Sequence, residues 1–195
     1  MKKLFLLALF SVGTVSAQQQ QDSTEVVSPI ALKKNEVRFD VVSLITETKI
    51  HLSYERFLNK DFSVGLSAIS AQSSKKKDDF ESNFNRTLPE YQIIPYVRYS
   101  LSKSQVSYYY VEAFASANGG KFKTQERFVE GGNGYYQAVE NTYFDIALGG
   151  AVGYKLYFSD KFAVDLFVGM GKNLLNTDES PELVPRVGGS FGYRF

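Results

Sequence analysis

The sequence predicts an all-β chain: a transmembrane antiparallel up-and-down β-barrel of about eight strands, preceded by a cleaved signal peptide. Three observations predict it. The chain opens on "MKKLFLLALFSVGTVSAQ", which has the parts of an export signal. From Glu36 onward apolar and polar residues alternate with the period of two that a strand imposes. The connections between the alternating stretches are short and long in turn.

Lys2 and Lys3 supply the positive end of the signal, and Leu4 to Val12 its apolar stretch. That stretch falls short of the ~20 residues that span a bilayer. Val15, Ser16 and Ala17 place small residues before a cleavage site between Ala17 and Gln18, so residues 1–17 stand apart from the fold. The chain has no cysteine, which excludes both a disulfide framework and a lipid anchor on a cysteine at the cleavage site. Gln18 to Asn35, "QQQQDSTEVVSPIALKKN", is polar and aperiodic and is expected to be a flexible periplasmic tail, leaving residues 36–195 as the barrel domain. A formal net charge of +1, with no basic stripe interleaved with aromatics, argues against nucleic acid. No long apolar run follows the signal, so no transmembrane helix is expected.

The first strand is expected over Glu36–Ile45, with Val37, Phe39 and Val41 opposite Arg38 and Asp40. The second, Lys49–Leu58, sets Ile50, Leu52 and Tyr54 against His51, Ser53 and Glu55. Phe62–Ala71 and Tyr91–Leu101 follow, the latter with Ile93, Val97 and Tyr99 against Gln92, Arg98 and Ser100. In the fifth, Tyr108–Asn118, Tyr109, Val111 and Ala113 oppose Tyr110, Glu112 and Ser116. The sixth, Tyr143–Phe158, has the clearest pattern: Phe144, Ile146, Leu148, Val152 and Tyr154 against Asp145, Gly149, Gly153 and Lys155. In the seventh, Phe162, Val164, Leu166, Val168 and Met170 oppose Asp165, Gly169 and Gly171, and the eighth runs from about Pro185 to the end.

A β-sandwich would alternate in the same way, but its polar face usually carries long solvated side chains. Here that face is Gly, Ser and Ala with isolated charges, which suits the confined and tightly curved interior of a small barrel. Buried charges need partners. A turn centred on Ser159-Asp160 puts Lys155 opposite Asp165, and a turn near Ser104 brings Arg98 to Glu112. Arg38, Asp40 and Glu55 are expected to meet around the first hairpin, completing an internal salt-bridge network.

The links "LNKD", "SKSQV" and "SDK" are tight, whereas Gln72–Glu90, Gly119–Thr142 and Lys172–Val184 are longer and polar. This is the pattern of periplasmic turns and external loops. "TET", after the first strand, breaks it: an external link that is short. "FLNKDFSV" (Phe57 to Val64) is echoed by "YFSDKFAV" (Tyr157 to Val164). Both barrel ends are then periplasmic, and the eighth strand must pair with the first because lipid tolerates no open edge. The closing "GGSFGYRF" alternates Phe191, Tyr193 and Phe195 with small or polar residues, as a C-terminal signal for the barrel assembly machinery does.

"VRFDVVSLITETKIHLSYERFL", "IIPYVRYSL", "YVEAFA" and the final "GYRF" resemble the small outer-membrane β-barrel family of Gram-negative bacteria, in its short members described as domains of unknown function. The resemblance covers nearly the whole chain after the signal. It implies an OmpA- or OmpX-like barrel in the outer membrane, in contact with lipid and lipopolysaccharide, without assigned chemistry and without a periplasmic domain.

His51 and Ser53 in "HLSYE" have the spacing seen in outer-membrane lipid A deacylases, where a serine attacks an ester and a histidine takes its proton. Both lie on the predicted interior face, however, while a lipid-cleaving site must open to the bilayer. His51 is therefore read as a polar residue near the outer rim, and a lipid-modifying enzyme using His51 and Ser53 is the alternative reading. "EGGNGYY" (Glu130 to Tyr136) lacks the strand and helix of a phosphate-binding loop and reads as a loop tip. "KKKDDFE" (Lys75 to Glu81) reads as a solvated charge run, and Tyr91, Tyr99, Tyr109, Tyr143 and Tyr154 as interfacial girdle residues. No catalytic, cofactor-binding or metal-ligating residue is expected. A barrel of this size has an interior filled by side chains, which argues against a pore. The leading expectation is a non-enzymatic outer-membrane barrel displaying loops for envelope integrity, adhesion or partner binding, with an unidentified extracellular or periplasmic protein as partner.

Overall fold

The computed structural model describes residues 29–131 and 133–195. The expected signal at residues 1–17 and residues 18–28 of the expected tail lie outside the described residues. Strands β1 (Asn35–Asp40), β2 (Lys49–Phe57), β3 (Phe62–Ala71), β4 (Thr87–Ser100), β5 (Ser107–Glu130), β6 (Asn133–Phe158), β7 (Phe162–Asn173) and β8 (Leu183–Arg194) form a closed barrel. Each pairs antiparallel with the next, and β8 returns to β1 through Glu36↔Arg194 to Asp40↔Ser190. Backbone bonds between Asn35 and Phe195 in both directions extend this seam.

Burial decides between barrel and sandwich. On β6, Leu148 is 56% exposed while Lys155 is 0% exposed. The apolar set (Leu52, Leu66, Val97, Val152, Val168, Val187) faces outward, and Glu36, Glu55, Arg98 and Asp165 face the axis. An apolar exterior around a charged interior suits a hydrocarbon solvent and a closed, edge-free sheet.

The first strand stops at Asp40 rather than Ile45. The Asp40 side chain accepts from the backbone N–H of Ser43 at 2.7 Å and caps helix α1 (Val41–Glu47). Thr48 ends that helix in the left-handed region, with φ 52°, and its N–H bonds the Ser43 carbonyl. "TET" is thus the end of a helix, and the first outer connection is α1. The first outer connection is therefore longer than the turns at the other end.

Tight turns close the other end. Asn59 Oδ1 accepts from the N–H groups of Asp61 and Phe62, both at 2.8 Å. The β6–β7 turn does centre on Ser159 and Asp160, each at φ 53°. The echoing sequences therefore make hairpins of different geometry. Part of the expected tail is built into this end: Pro29–Leu32 forms a 3-10 helix, and Ile30 is fully buried with Phe57, Tyr108 and Tyr157. The Lys33 carbonyl accepts from Arg194 Nε at 2.8 Å, and the Lys34 carbonyl from the Phe57 N–H at 2.8 Å. The segment lies against the turn-end mouth.

Interior glycines make room for rings. Tyr96 pairs with Gly65, and Tyr110 with Gly153. A Cβ at either glycine would collide with the opposing tyrosine ring, so each is needed for that close approach. Outside, Phe158, Phe162, Phe191, Tyr193 and Phe195 form a continuous aromatic patch at the turn end. Tyr91, Tyr99 and Tyr109 face outward as expected, with Tyr154 4.8 Å from Tyr109. Tyr143 does not join them: it is 4% exposed and faces the axis.

Candidate functional site

The barrel interior is a single charge network. Arg98 sits opposite Glu112, as expected, and donates to it through Nε at 2.7 Å. The same guanidinium reaches Asp165 at 2.7 Å and Glu55 at 3.1 Å. Arg38 bonds Glu36 at 2.9 Å and also pairs with Glu55. Lys155 is registered with Asp165, yet its ammonium donates to Glu36 at 2.8 Å and Glu55 at 2.9 Å. Tyr110 donates to Asp165 at 2.7 Å, and Arg186 pairs with Glu112. Asp40 does not enter this cluster, because its carboxylate is taken by Ser43 and faces His51. Such a lattice immobilises its members, although Arg98 Nη2 and Arg186 Nη1 stay without a hydrogen-bond partner among the described residues.

His51, Ser53 and Asp40 do come together. His51 Nδ1 lies 3.4 Å from Asp40 Oδ2, and His51 Nε2 lies 3.3 Å from Ser53 Oγ. The acid, base and hydroxyl stand in the order of a hydrolytic triad. Ser53 Oγ, however, is 2.8 Å from Ser67 Oγ in the packed interior. The cavity of about 140 Å³ beside His51 is not lined by Ser53. The hydroxyl that would attack does not open onto that cavity, and neither residue faces the bilayer. Among the described residues no group of three or more His, Cys, Asp or Glu is placed to hold a metal.

The outer end carries the exposed architecture. β5 and β6 pair from Ser107↔Leu156 to Glu130↔Asn133, so the expected loop Gly119–Thr142 is mostly strand. β4 pairs with β5 only as far as Phe122, and β7 with β6 only from Ala147. Beyond those points the two strands continue as a free-standing ribbon with an open edge on each side. Near its tip Val129 and Tyr136 are 68% and 70% exposed. "EGGNGYY" does sit at this tip, where Glu130 pairs with Asn133 and Gly131 has φ 61°.

The ribbon is braced at its base. "KKKDDFE" forms most of helix α2 (Ser74–Glu81), whose Phe80 is buried. Lys123 caps that helix, donating to the carbonyl of Glu81 at 3.2 Å and to Asn83 Oδ1 at 2.7 Å. Arg86 joins the carbonyls of Lys123 at 3.3 Å and Asp178 at 3.0 Å. Asp145 on β6 gathers the β7–β8 connection: its oxygens accept from the N–H groups of Leu175 and Asn176, both at 2.9 Å, and from Ser180 Oγ.

These features define a small transmembrane β-barrel of the outer-membrane type. No protein-family model matches the chain, and no curated protein resembles it in sequence. Among solved structures, the N-terminal β-barrel domain of Pseudomonas aeruginosa OprF is similar in fold, with a TM-score of 0.53 at 13% identity, over 83% of this chain and 96% of that one. Ail of Yersinia pestis, described as an attachment invasion locus protein, gives 0.46 at 12% identity over 84% and 99%. Neisserial surface protein A gives 0.46 at 11% over 83% and 95%.

Proposed function

We propose that this is a non-enzymatic outer-membrane protein, a rigid barrel that displays a braced β-ribbon outside the cell for adhesion or protein partner binding. The export signal read in residues 1–17 carries the chain to that membrane, where its apolar belt contacts lipid and lipopolysaccharide. The alternating strand ending at Phe195 engages the barrel assembly machinery. The carrying observation is the ribbon: paired strands that outrun their neighbours, tied down by Lys123 and Arg86, with Val129 and Tyr136 exposed at the tip. Open strand edges with exposed aromatics recruit protein segments by strand addition and side-chain burial.

The test is a pull-down from intact cells with the wild-type protein and with a variant in which residues 123–142 are replaced by a short turn. Loss of a specific partner, with heat-modifiable gel mobility retained, supports the display reading. Equal capture by both proteins overturns it.

A further inference from the structure

The two edges of the ribbon are not alike. In an antiparallel ladder, alternate residues turn their backbone N–H and C=O groups away from the partner strand. The Lys123 N–H bonds the Arg86 carbonyl at 2.9 Å, and the Ile146 carbonyl accepts from the Leu174 N–H at 3.0 Å, which fixes the outward set on each strand. On β6 that set continues through Glu140, Ala138, Tyr136 and Gly134, which meet no neighbouring strand other than β5 among the described residues. Sheet edges are normally blunted by proline, lysine or a bulge. The β5 edge carries Glu126, Arg127 and Glu130 and has Arg86 at its base, whereas "GYYQAVE" (Gly134 to Glu140) has neither proline nor lysine and keeps an unbroken register.

Laid antiparallel against a second copy of itself about Gln137, this edge is self-complementary. Tyr135 then stands opposite Val139 of the second copy, Tyr136 opposite Ala138, and Glu140 opposite Gly134. Aromatic and β-branched side chains pair favourably across strands, and no like charges are opposed. Gly134 is also where Arg127 lies: a Cβ there would be 2.8 Å from Arg127 Nε. Among the described residues Arg127 has no ion pair. Glu140 gives Oε1 to Lys121 at 2.6 Å, and its other oxygen is left to accept. The pairing brings each Arg127 to the Glu140 of the second copy, and symmetry makes the contact twice.

We infer that the ribbon is homophilic: the Gly134–Glu140 edge adds to the same edge of a second copy of this chain, in an antiparallel two-fold pairing. The inference rests on the display reading of the ribbon. β6 runs from the tip toward the barrel, so antiparallel β6 strands hold the two barrels at opposite ends of the joined ribbon, in two facing membranes. One short edge buries less than a lone stable dimer needs, and many copies on each surface supply the rest.

Two differently labelled cell populations that both carry the wild-type protein should form mixed clumps, and cells lacking it should stay out of them. Ala138→Pro removes an outward N–H without touching a bond to β5, so it should abolish clumping. Arg127→Glu cells and Glu140→Arg cells should each stay dispersed alone yet clump with one another, because the mixed pair restores both contacts. Gln137→Cys introduces the sole cysteine, on the two-fold axis, and should oxidise to a dimer where cells clump. The same variant on intact cells should take up a membrane-impermeant maleimide, which checks display, and heat-modifiable mobility checks that every variant is folded. Wild-type cells that stay dispersed although Gln137→Cys is labelled overturn the inference and leave the display reading standing. Absence of labelling on intact cells overturns both. Clumping that Ala138→Pro and the charge reversals leave unchanged also overturns the inference.

Discussion

Lys155 and Asp165 stand directly opposite each other across β6 and β7, yet each takes its ionic partners from elsewhere. The lysine bonds Glu36 and Glu55, and the aspartate bonds Arg98. These two charges are thus satisfied across the lumen, whereas Arg98 and Glu112 pair across neighbouring strands.

Lys155→Met should consequently leave Glu36 and Glu55 short of a cation in a site with no exposure. Removing one partner of a buried ion cluster destabilises by about 3–5 kcal/mol. Urea unfolding of protein refolded in lipid vesicles should show a loss of that order, and Lys155→Met with Glu36→Gln should recover part of it.

The lumen packed by this network predicts no stable channel. Planar bilayers containing the pure protein should show baseline current, and steady unitary conductance steps would contradict the packing.

Depth in the membrane should govern the cost of a lipid-facing charge. Leu148→Arg places a cation toward the midplane, where about 2–4 kcal/mol is expected. Arg56 already faces outward near the turn end, beside Asn35 Oδ1 at 3.1 Å, where the penalty falls to roughly 0–1 kcal/mol. Arg56→Leu should therefore change refolding stability little, and Leu148→Arg substantially.

Asp145→Ala should release the β7–β8 connection while sparing the barrel. The N–H of Leu174 keeps the Ile146 carbonyl, whereas those of Leu175 and Asn176 lose their acceptor. Their hydrogen exchange should accelerate by about tenfold or more, since charged hydrogen bonds contribute roughly 1.5–3 kcal/mol. Exchange in β2 and β3 should stay as it is.

His51→Ala and Ser53→Ala should leave the acylation of cellular lipid A unchanged, because Ser53 faces Ser67 instead of the cavity or the bilayer. Mass spectra of lipid A from cells carrying either variant or a deletion check this. A change reproduced by both single substitutions would restore the hydrolytic reading.

The strands and their inward faces were legible because side-chain direction in a strand is a local property with a period of two. Helix α1 was hidden in "VVSLITET", whose β-branched residues read as strand, and only the Asp40 cap with Ser43 three positions on betrays it. The ribbon was missed because both of its faces are wet, so Lys123–Glu130 shows no apolar stripe. Arg98 and Glu112 were legible because they are adjacent across one hairpin. The partners of Lys155 were not, because the curvature of the closed barrel brings them from the far wall. His51 and Ser53 could be paired from spacing alone, but that Ser53 turns to Ser67 depends on the β2–β3 register.

The β1–β8 seam has a kinetic consequence. Lys155 and Glu36 are 119 positions apart, and Asp40 and Ser190 are 150 apart, so these contacts form only when the two edge strands meet. Until then the sheet exposes unpaired backbone edges and several unneutralised side chains, none of which hydrocarbon can solvate. A partly inserted sheet is therefore a high-energy species, and bilayer entry and ring closure should occur as one concerted, slow step of high contact order. Truncations within β1 or β8 should abolish the folded barrel outright instead of yielding a stable seven-stranded remnant.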